Sequence, residues 1–294
     1  MTETDDTGAG PTVAVPQIPV DDCAVERNLD RIRDRVAALP DRVDIAVLPE
    51  YALTGFVDDD RIRAVALDRD AALDRLSAIA DDTGVALTAG YAERDGDELF
   101  NATAYVPPEA FTGGSSDRDG EATVYRKRHL WGEEAERMAA GSERVVVDTP
   151  AGRTGLLTCY DLNFVAESAW FADRLVDALF VPGAWPAAHV RNWRLLLRAR
   201  ALDGVRWVVG AGRTGSAGGN GDGDGGGDGD GGGDGERGDR SERRRYAGNS
   251  LVARPDGRVA AELGRGERDL VATLDRDLLA DQRDLVGAVS DMEK

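Results

Sequence analysis

Gly155-Leu156-Leu157-Thr158-Cys159-Tyr160-Asp161 is a short apolar run that gives way to polar residues at a cysteine. Thr154–Thr158 reads as a strand, preceded by another at Val145–Thr149, with a Pro-Ala-Gly turn between them. Cys159 therefore emerges where a strand ends, a place where sheet proteins commonly carry reactive groups. A second run, Val43–Leu48, is almost continuously apolar, as a buried strand must be, and it delivers Pro49 and Glu50 to its carboxyl end.

Outward from these two runs, strand-like and helix-like segments alternate, which predicts an α/β or layered-sheet protein. Strands are expected at Thr12–Val15, Val85–Tyr91, Leu99–Val106, Thr123–Arg126, Ala178–Val181 and Val205–Val209. Leu29, Ile32, Val36 and Leu39 lie at helical spacing in Glu26–Leu39, and Asp70–Asp82 repeats the pattern. Val190, Trp193, Leu196, Leu197 and Ala201 share one face of a helix that Gly204 ends. Ser250–Ala253 and Arg258–Leu263 are joined by Pro255-Asp256-Gly257, a turn in which Pro fixes one central φ and Gly accepts a positive one. The expectation is a single domain over 12–294, after a disordered tail at 1–11 and with a polar loop at Thr112–Gly120. Residues 215–240 hold 14 of the chain's 36 glycines and no aromatic or large aliphatic residue, so they read as a disordered surface insertion. Asp222-Gly223-Asp224 resembles the opening of a calcium loop, but neither a Glu at the twelfth position nor a repeated apolar residue follows, so metal is not expected there.

The 294 residues suffice for one large core, and 55 acidic against 36 basic side chains give a formal charge of −19. Such a surface repels nucleic acid and anionic lipid. Lysine occurs only at Lys127 and Lys294. An acidic, lysine-poor chain suggests adaptation to high salt, where the Debye length falls to about 3 Å at 1 M; stability that failed to rise with salt would count against this. No stretch approaches the roughly 20 apolar residues that cross a bilayer, and residues 1–10 lack the pattern of a secretion signal, so a cytoplasmic protein is expected. Cys23 and Cys159 are too few for a disulfide framework and form no Cys-x-x-Cys pair.

Three residues carry candidate chemistry on these grounds. In a chain that avoids lysine, Lys127 stands inside Tyr125-Arg126-Lys127-Arg128-His129-Leu130. A compact ammonium can point into a tight pocket where a guanidinium fork cannot, although a chance surface lysine among arginines would look the same. Cys159 needs a nearby base or cation to act as a nucleophile, because a free thiol near pKa 8.5 is mostly protonated at neutral pH; without one it is a buried structural cysteine. Cys23, in a polar stretch, is assigned to that structural role. Glu50 at a strand end is a candidate base, since desolvation raises a carboxylate's proton affinity, but an exposed loop position fits equally well. The two histidines, His129 and His189, are widely separated, and no metal or other cofactor is expected.

In these motifs the chain resembles the nitrilase, or carbon-nitrogen hydrolase, superfamily. Its Glu, Lys and Cys triad matches Pro49-Glu50, the segment from Tyr125 through Lys127 to Glu134, and Cys159-Tyr160-Asp161-Leu162. Trp185-Pro186, Trp193, Leu197 to Leu202 and Gly248-Asn249-Ser250 resemble its later blocks. A second glutamate, seven residues before a Gly, matches Glu134 and Gly141. The resemblance implies a four-layer α-β-β-α sandwich, cofactor-free hydrolysis and a homodimer formed through the helical face. Glu50 would be the base, Cys159 the nucleophile, Lys127 with the backbone N–H of Tyr160 the oxyanion stabilisers, and Glu134 the residue that orients Lys127.

The sequence departs from the family's pattern at several points. Asn163 stands where Arg is usual, the run to Glu167 has one extra residue, Asp203 replaces Glu, and Gly212 replaces Asn. Tyr51, Trp131, Asn163 and Trp185 are candidate pocket residues, although large aromatics are more often core. Arg191, Arg194, Arg198 and Arg200 could bind an anion, but at helical spacing they read more readily as a solvated or salt-bridged face. The expected substrate is a small linear amide, an ω-amide or an N-carbamoyl amine; the alternatives are a nitrile substrate, a catalytically silent scaffold or a redox-active thiol protein.

Overall fold

The computed structural model describes residues 10–109, 122–217 and 245–287. Among the described residues, twelve strands form two six-stranded sheets, ordered β12-β1-β2-β3-β4-β5 and β11-β10-β9-β8-β7-β6. In the first, β1 (Thr12–Gln17), β2 (Ile45–Val47) and β3 (Ala86–Asp95) run parallel, while β4 (Glu98–Val106), β5 (Thr123–Arg126) and β12 (Arg268–Thr273) pair antiparallel. In the second, β7 (Gly152–Leu156), β8 (Ala178–Gly183) and β9 (Trp207–Gly212) are parallel, flanked by antiparallel β6 (Val146–Thr149), β10 (Leu251–Ala253) and β11 (Val259–Glu262).

The period-2 alternation of the strands splits the core into layers. Val13, Val15, Ile45 and Val47 meet Leu156, Phe180, Val209 and Val252 between the sheets. The intervening residues Ala14, Ala46 and Leu48 face the other way, onto α1 (Val25–Ala37) and α3 (Arg69–Thr83) through Ile32, Val36, Leu76 and Ile79. On the far side, Leu179, Val181 and Val208 pack under α5 (Val165–Ala172) and α6 (Val190–Gly204) through Phe171, Trp193 and Leu197. Each fully buried Leu, Ile or Phe contributes about 1.5–3 kcal/mol relative to exposure. The result is the expected four-layer α-β-β-α sandwich.

Several short elements lie beyond the sequence expectation: α2 (Arg61–Val65), α4 (Glu134–Arg137), α5, β12 and α7 (Arg276–Val286). The expected tail is corrected at its end. Pro11 is buried and its carbonyl accepts the Leu274 N–H at 2.8 Å, so Gly10 and Pro11 belong to the folded part. Residues 1–9, the loop at 112–120 and most of the insertion lie outside the described residues. Gly215 and Ser216, at the insertion's start, pair with Tyr246 and Arg245 at its far side. Among the described residues, no helix is long and apolar enough to cross a membrane.

Candidate active site

Four strands of the two sheets point their carboxyl ends at one spot. β2 leads through Leu48 and Pro49 to Glu50, which is 2% exposed, and the chain there lies on Gly90 of β3. A Cβ on Gly90 would stand 2.6 Å from Tyr51 N and 2.8 Å from Glu50 Cα, so only glycine admits this close approach. β5 ends at Arg126 and hands over to Lys127, whose N–H donates to Asn101 O of β4 at 2.7 Å. β7 leads to Cys159, at the start of a 3₁₀ turn over Cys159–Asn163. β8 supplies the N–H of Ala184.

These elements build a connected buried network. Lys127 Nζ donates to Glu50 Oε1 at 2.8 Å and to Glu134 Oε2 at 2.7 Å. Asn101 Nδ2 donates to Oε1 of both glutamates. Ala184 N–H donates to Glu50 Oε2 at 2.7 Å, Tyr51 Oη to Glu134 Oε1 at 2.6 Å, and Trp131 N–H to Glu134 Oε2 at 3.1 Å. Every carboxylate oxygen thus has a donor, as burial requires. Although burial works against it, the two carboxylates hold the Lys127 pKa well above the usual lysine range. Glu134 is held below the ordinary carboxylate range: desolvation pushes it up, but Lys127, Tyr51 and Asn101 outweigh that.

Cys159 is a non-glycine residue at φ +48°, a left-handed conformation that costs energy and persists only where its surroundings impose it. Asp161 imposes it. Its carboxylate accepts from Thr158 N–H at 2.9 Å, Tyr125 Oη at 2.7 Å and His129 N–H at 3.0 Å, tying the cysteine turn to the segment that bears Lys127. Burial nonetheless pushes the Asp161 pKa up to about 6. Burial and the Glu50 carboxylate push the Cys159 thiol's pKa well up, against the pull of Lys127 and the Ala184 N–H. Its resting form is therefore the thiol.

A cavity of about 230 Å³ opens onto this network. Glu50, Lys127, Glu134, Cys159 and Tyr160 line it, as do all four pocket candidates, Tyr51, Trp131, Asn163 and Trp185. Trp185 is also core, packed 5.4 Å from Trp193 between ring centroids. Cys23 lies elsewhere, in a shallow surface depression. Among the described residues, no group of three or more His, Cys, Asp or Glu side chains is arranged to hold a metal ion.

A profile of the carbon-nitrogen hydrolase family matches residues 12–284. The chain belongs to the carbon-nitrogen hydrolase family. Among curated relatives, this hydrolase is 28% identical over 255 residues to the 2-oxoglutaramate amidase of Bacillus subtilis, covering 85% of each chain. Its fold matches a CN-hydrolase superfamily protein of Xanthomonas campestris that carries an arsenic adduct in its active site, with TM-score 0.78, 25% identity and 96% of each chain covered. It also matches a mutant of the amidase from Nesterenkonia sp. AN1 in which acrylamide has added to the active-site cysteine; the TM-score is 0.74, identity 25%, and coverage 94% of this chain and 98% of that one.

The departures from the family pattern find local explanations in this hydrolase. Despite the extra residue before it, Glu167 is buried and accepts from Arg128, from Arg144 Nε at 2.8 Å and from His129 Nε2 at 2.9 Å if that nitrogen carries the proton. Asp203 accepts from Ser168 Oγ at 2.7 Å and Arg200 Nη1 at 2.9 Å. A Cβ on Gly212 would meet Gly248 O at 1.9 Å, so this backbone path admits no side chain. Of the four arginines of α6, three are engaged within the chain: Arg194 pairs with Glu262, Arg198 donates to Gly257 O, and Arg200 is buried against Leu162 O and Asp203, while Arg191 is exposed.

Sequence reading missed Asn101, Ala184 and Asp161. Asp161 sat inside the quoted motif, but nothing in its type signalled a buried anchor. Asn101 and the Ala184 N–H act only through strands brought alongside by the fold.

Proposed function

We propose that this chain hydrolyses the carbon–nitrogen bond of a small amide through a thioester on Cys159. Glu50 takes the thiol proton as sulfur attacks the carbonyl carbon, and the negative charge that grows on oxygen is met by Lys127 Nζ and the Tyr160 N–H. Collapse of this intermediate breaks the carbon–nitrogen bond, and Glu50 returns the proton to the departing ammonia or amine. Water then attacks the thioester and gives a proton to Glu50; the carboxylic acid departs, and Glu50 passes that proton to the leaving sulfur, which restores the thiol and the carboxylate. Glu134 holds Lys127 in place throughout.

The observation that supports this reading is that Cys159, Glu50 and the Lys127 ammonium bonded to it line one cavity. Amidase activity among the relatives favours an amide over a nitrile. Ammonia release across a panel of ω-amides, N-carbamoyl amines and nitriles is expected from amides, with none from Cys159→Ala. Activity that survives in that variant would refute the scheme. The same reading includes a homodimer through the outer face of α5 and α6, where Val165, Leu195 and Leu202 are exposed; a monomer by light scattering at micromolar concentration would remove it.

A further inference from the structure

The charges around the cavity restrict which acyl group it can take. Glu50, Glu134 and Lys127 sit at its floor with side chains 3%, 7% and 3% exposed, and the lysine is already bonded to both carboxylates. Among the described residues, no other Asp, Glu, Lys or Arg lines the cavity. Phe56, Trp131, Trp185 and Tyr246 supply aromatic walls, while Asn163, Asn192 and His189 are the polar side chains at the rim.

A buried guanidinium, that of Arg213, braces the walls without lining the cavity. Its Nη2 donates to Val20 O at 2.8 Å and to Asp22 Oδ1 at 2.7 Å, and its charge lies 4.2 Å over the ring of Tyr246. The same Asp22 oxygen accepts the N–H of Phe56 at 3.1 Å. One buried ion pair thus fixes an aromatic on each of two cavity walls.

We propose that this cavity selects amides whose acyl group is uncharged and discriminates against amides whose acyl group carries a carboxylate. The proposal rests on the amidase reading above and narrows it. An entering carboxylate would lose water beside a floor that is already net negative, where the one lining cation, Lys127, is bonded to both carboxylates and keeps its third N–H for the oxyanion, a costly burial. An alkyl or aryl group would instead exchange water for aromatic contact. The inference separates this chain from the activity named for its 2-oxoglutaramate relative.

The test compares kcat/KM for pentanamide and succinamate, which share a two-carbon spacer ending in ethyl or in carboxylate, using the full chain. Pentanamide is expected to win by about tenfold or more. The preference should persist in about 1 M NaCl, which screens exposed charge but not buried charge. Asn163→Arg, which adds a cation at the rim, should shrink the ratio. Succinamate equal to or faster than pentanamide would overturn the inference and leave the amidase reading standing. A preference that vanished in salt would also overturn it, since the acidic surface rather than the cavity lining would then be responsible. If neither compound nor any other amide released ammonia, both readings would fall.

Discussion

Asn101 Nδ2 donates to Oε1 of Glu50 at 2.7 Å, from a strand that neither the sequence motif nor the nucleophile belongs to. The amide also reaches Glu134, so a neutral side chain helps two carboxylates share a single lysine in a buried site. Replacing it with Ala removes one of the two donors at each oxygen and leaves Lys127 at Glu50 and Tyr51 at Glu134. Asn101→Ala is expected to lower kcat about 10- to 100-fold, the equivalent of one hydrogen bond to a charged group, with a smaller change in KM. Steady-state kinetics that stayed within twofold of the parent would remove Asn101 from the account.

Burial and the Glu50 carboxylate push the Cys159 thiol's pKa well up, so the proposed scheme needs a base at the moment of attack. Glu50→Gln should reduce amide hydrolysis by about 10²- to 10⁴-fold, the range of general-base effects. Titration of thiolate absorbance in the parent enzyme should show no Cys159 step below the ordinary thiol range of about 8.5. A step near neutrality would mean a preformed thiolate and would contradict the scheme.

Lys127 is buried between two carboxylates that accept at 2.7 and 2.8 Å, leaving no space for a broad planar fork. Lys127→Arg keeps the charge, yet is expected to cost about 10²- to 10³-fold in kcat, comparable to the loss of one oxyanion donor. Near-parental kcat would show that charge alone suffices.

Asp161 gives a pH signature with a definite sign. Its folded pKa lies above its ordinary value, at about 6, so its contribution to stability is full in acid and is lost as pH rises through about 6. Between pH 5 and 7 this loss amounts to about 1 kcal/mol, and Asp161→Asn should abolish it. Urea unfolding of both proteins at the two pH values checks this. Equal pH slopes in parent and variant would contradict it.

What the sequence made legible was whatever has a local signature. Continuous apolar runs marked β2 and β8, helical spacing marked α1, α3 and α6, and Pro255-Asp256-Gly257 marked the turn between β10 and β11. Glu50 and Cys159 were visible because each follows such a run, and Lys127 because the chain otherwise avoids lysine. Edge strand β12, Arg268–Thr273, was hidden because half its residues are exposed and charged or polar, so its pattern lacks a clean apolar face. The five-residue α2 and four-residue α4 are too short for periodicity to register. Partnerships that span the fold, such as Asn101 with Glu50 or Asp22 with Arg213, have no local trace at all. The arginines of α6 looked like one exposed stripe, but Arg200 is turned inward to cap Leu162 O.

The central claim is that sulfur of Cys159 carries the acyl group during turnover. Acid quenching of the enzyme during steady-state hydrolysis of pentanamide, followed by intact-mass and peptide mass analysis, tests it directly. A pentanoyl adduct is expected on the peptide that contains Cys159 and none on the peptide that contains Cys23. An adduct elsewhere, or unchanged turnover in Cys159→Ala, would contradict it.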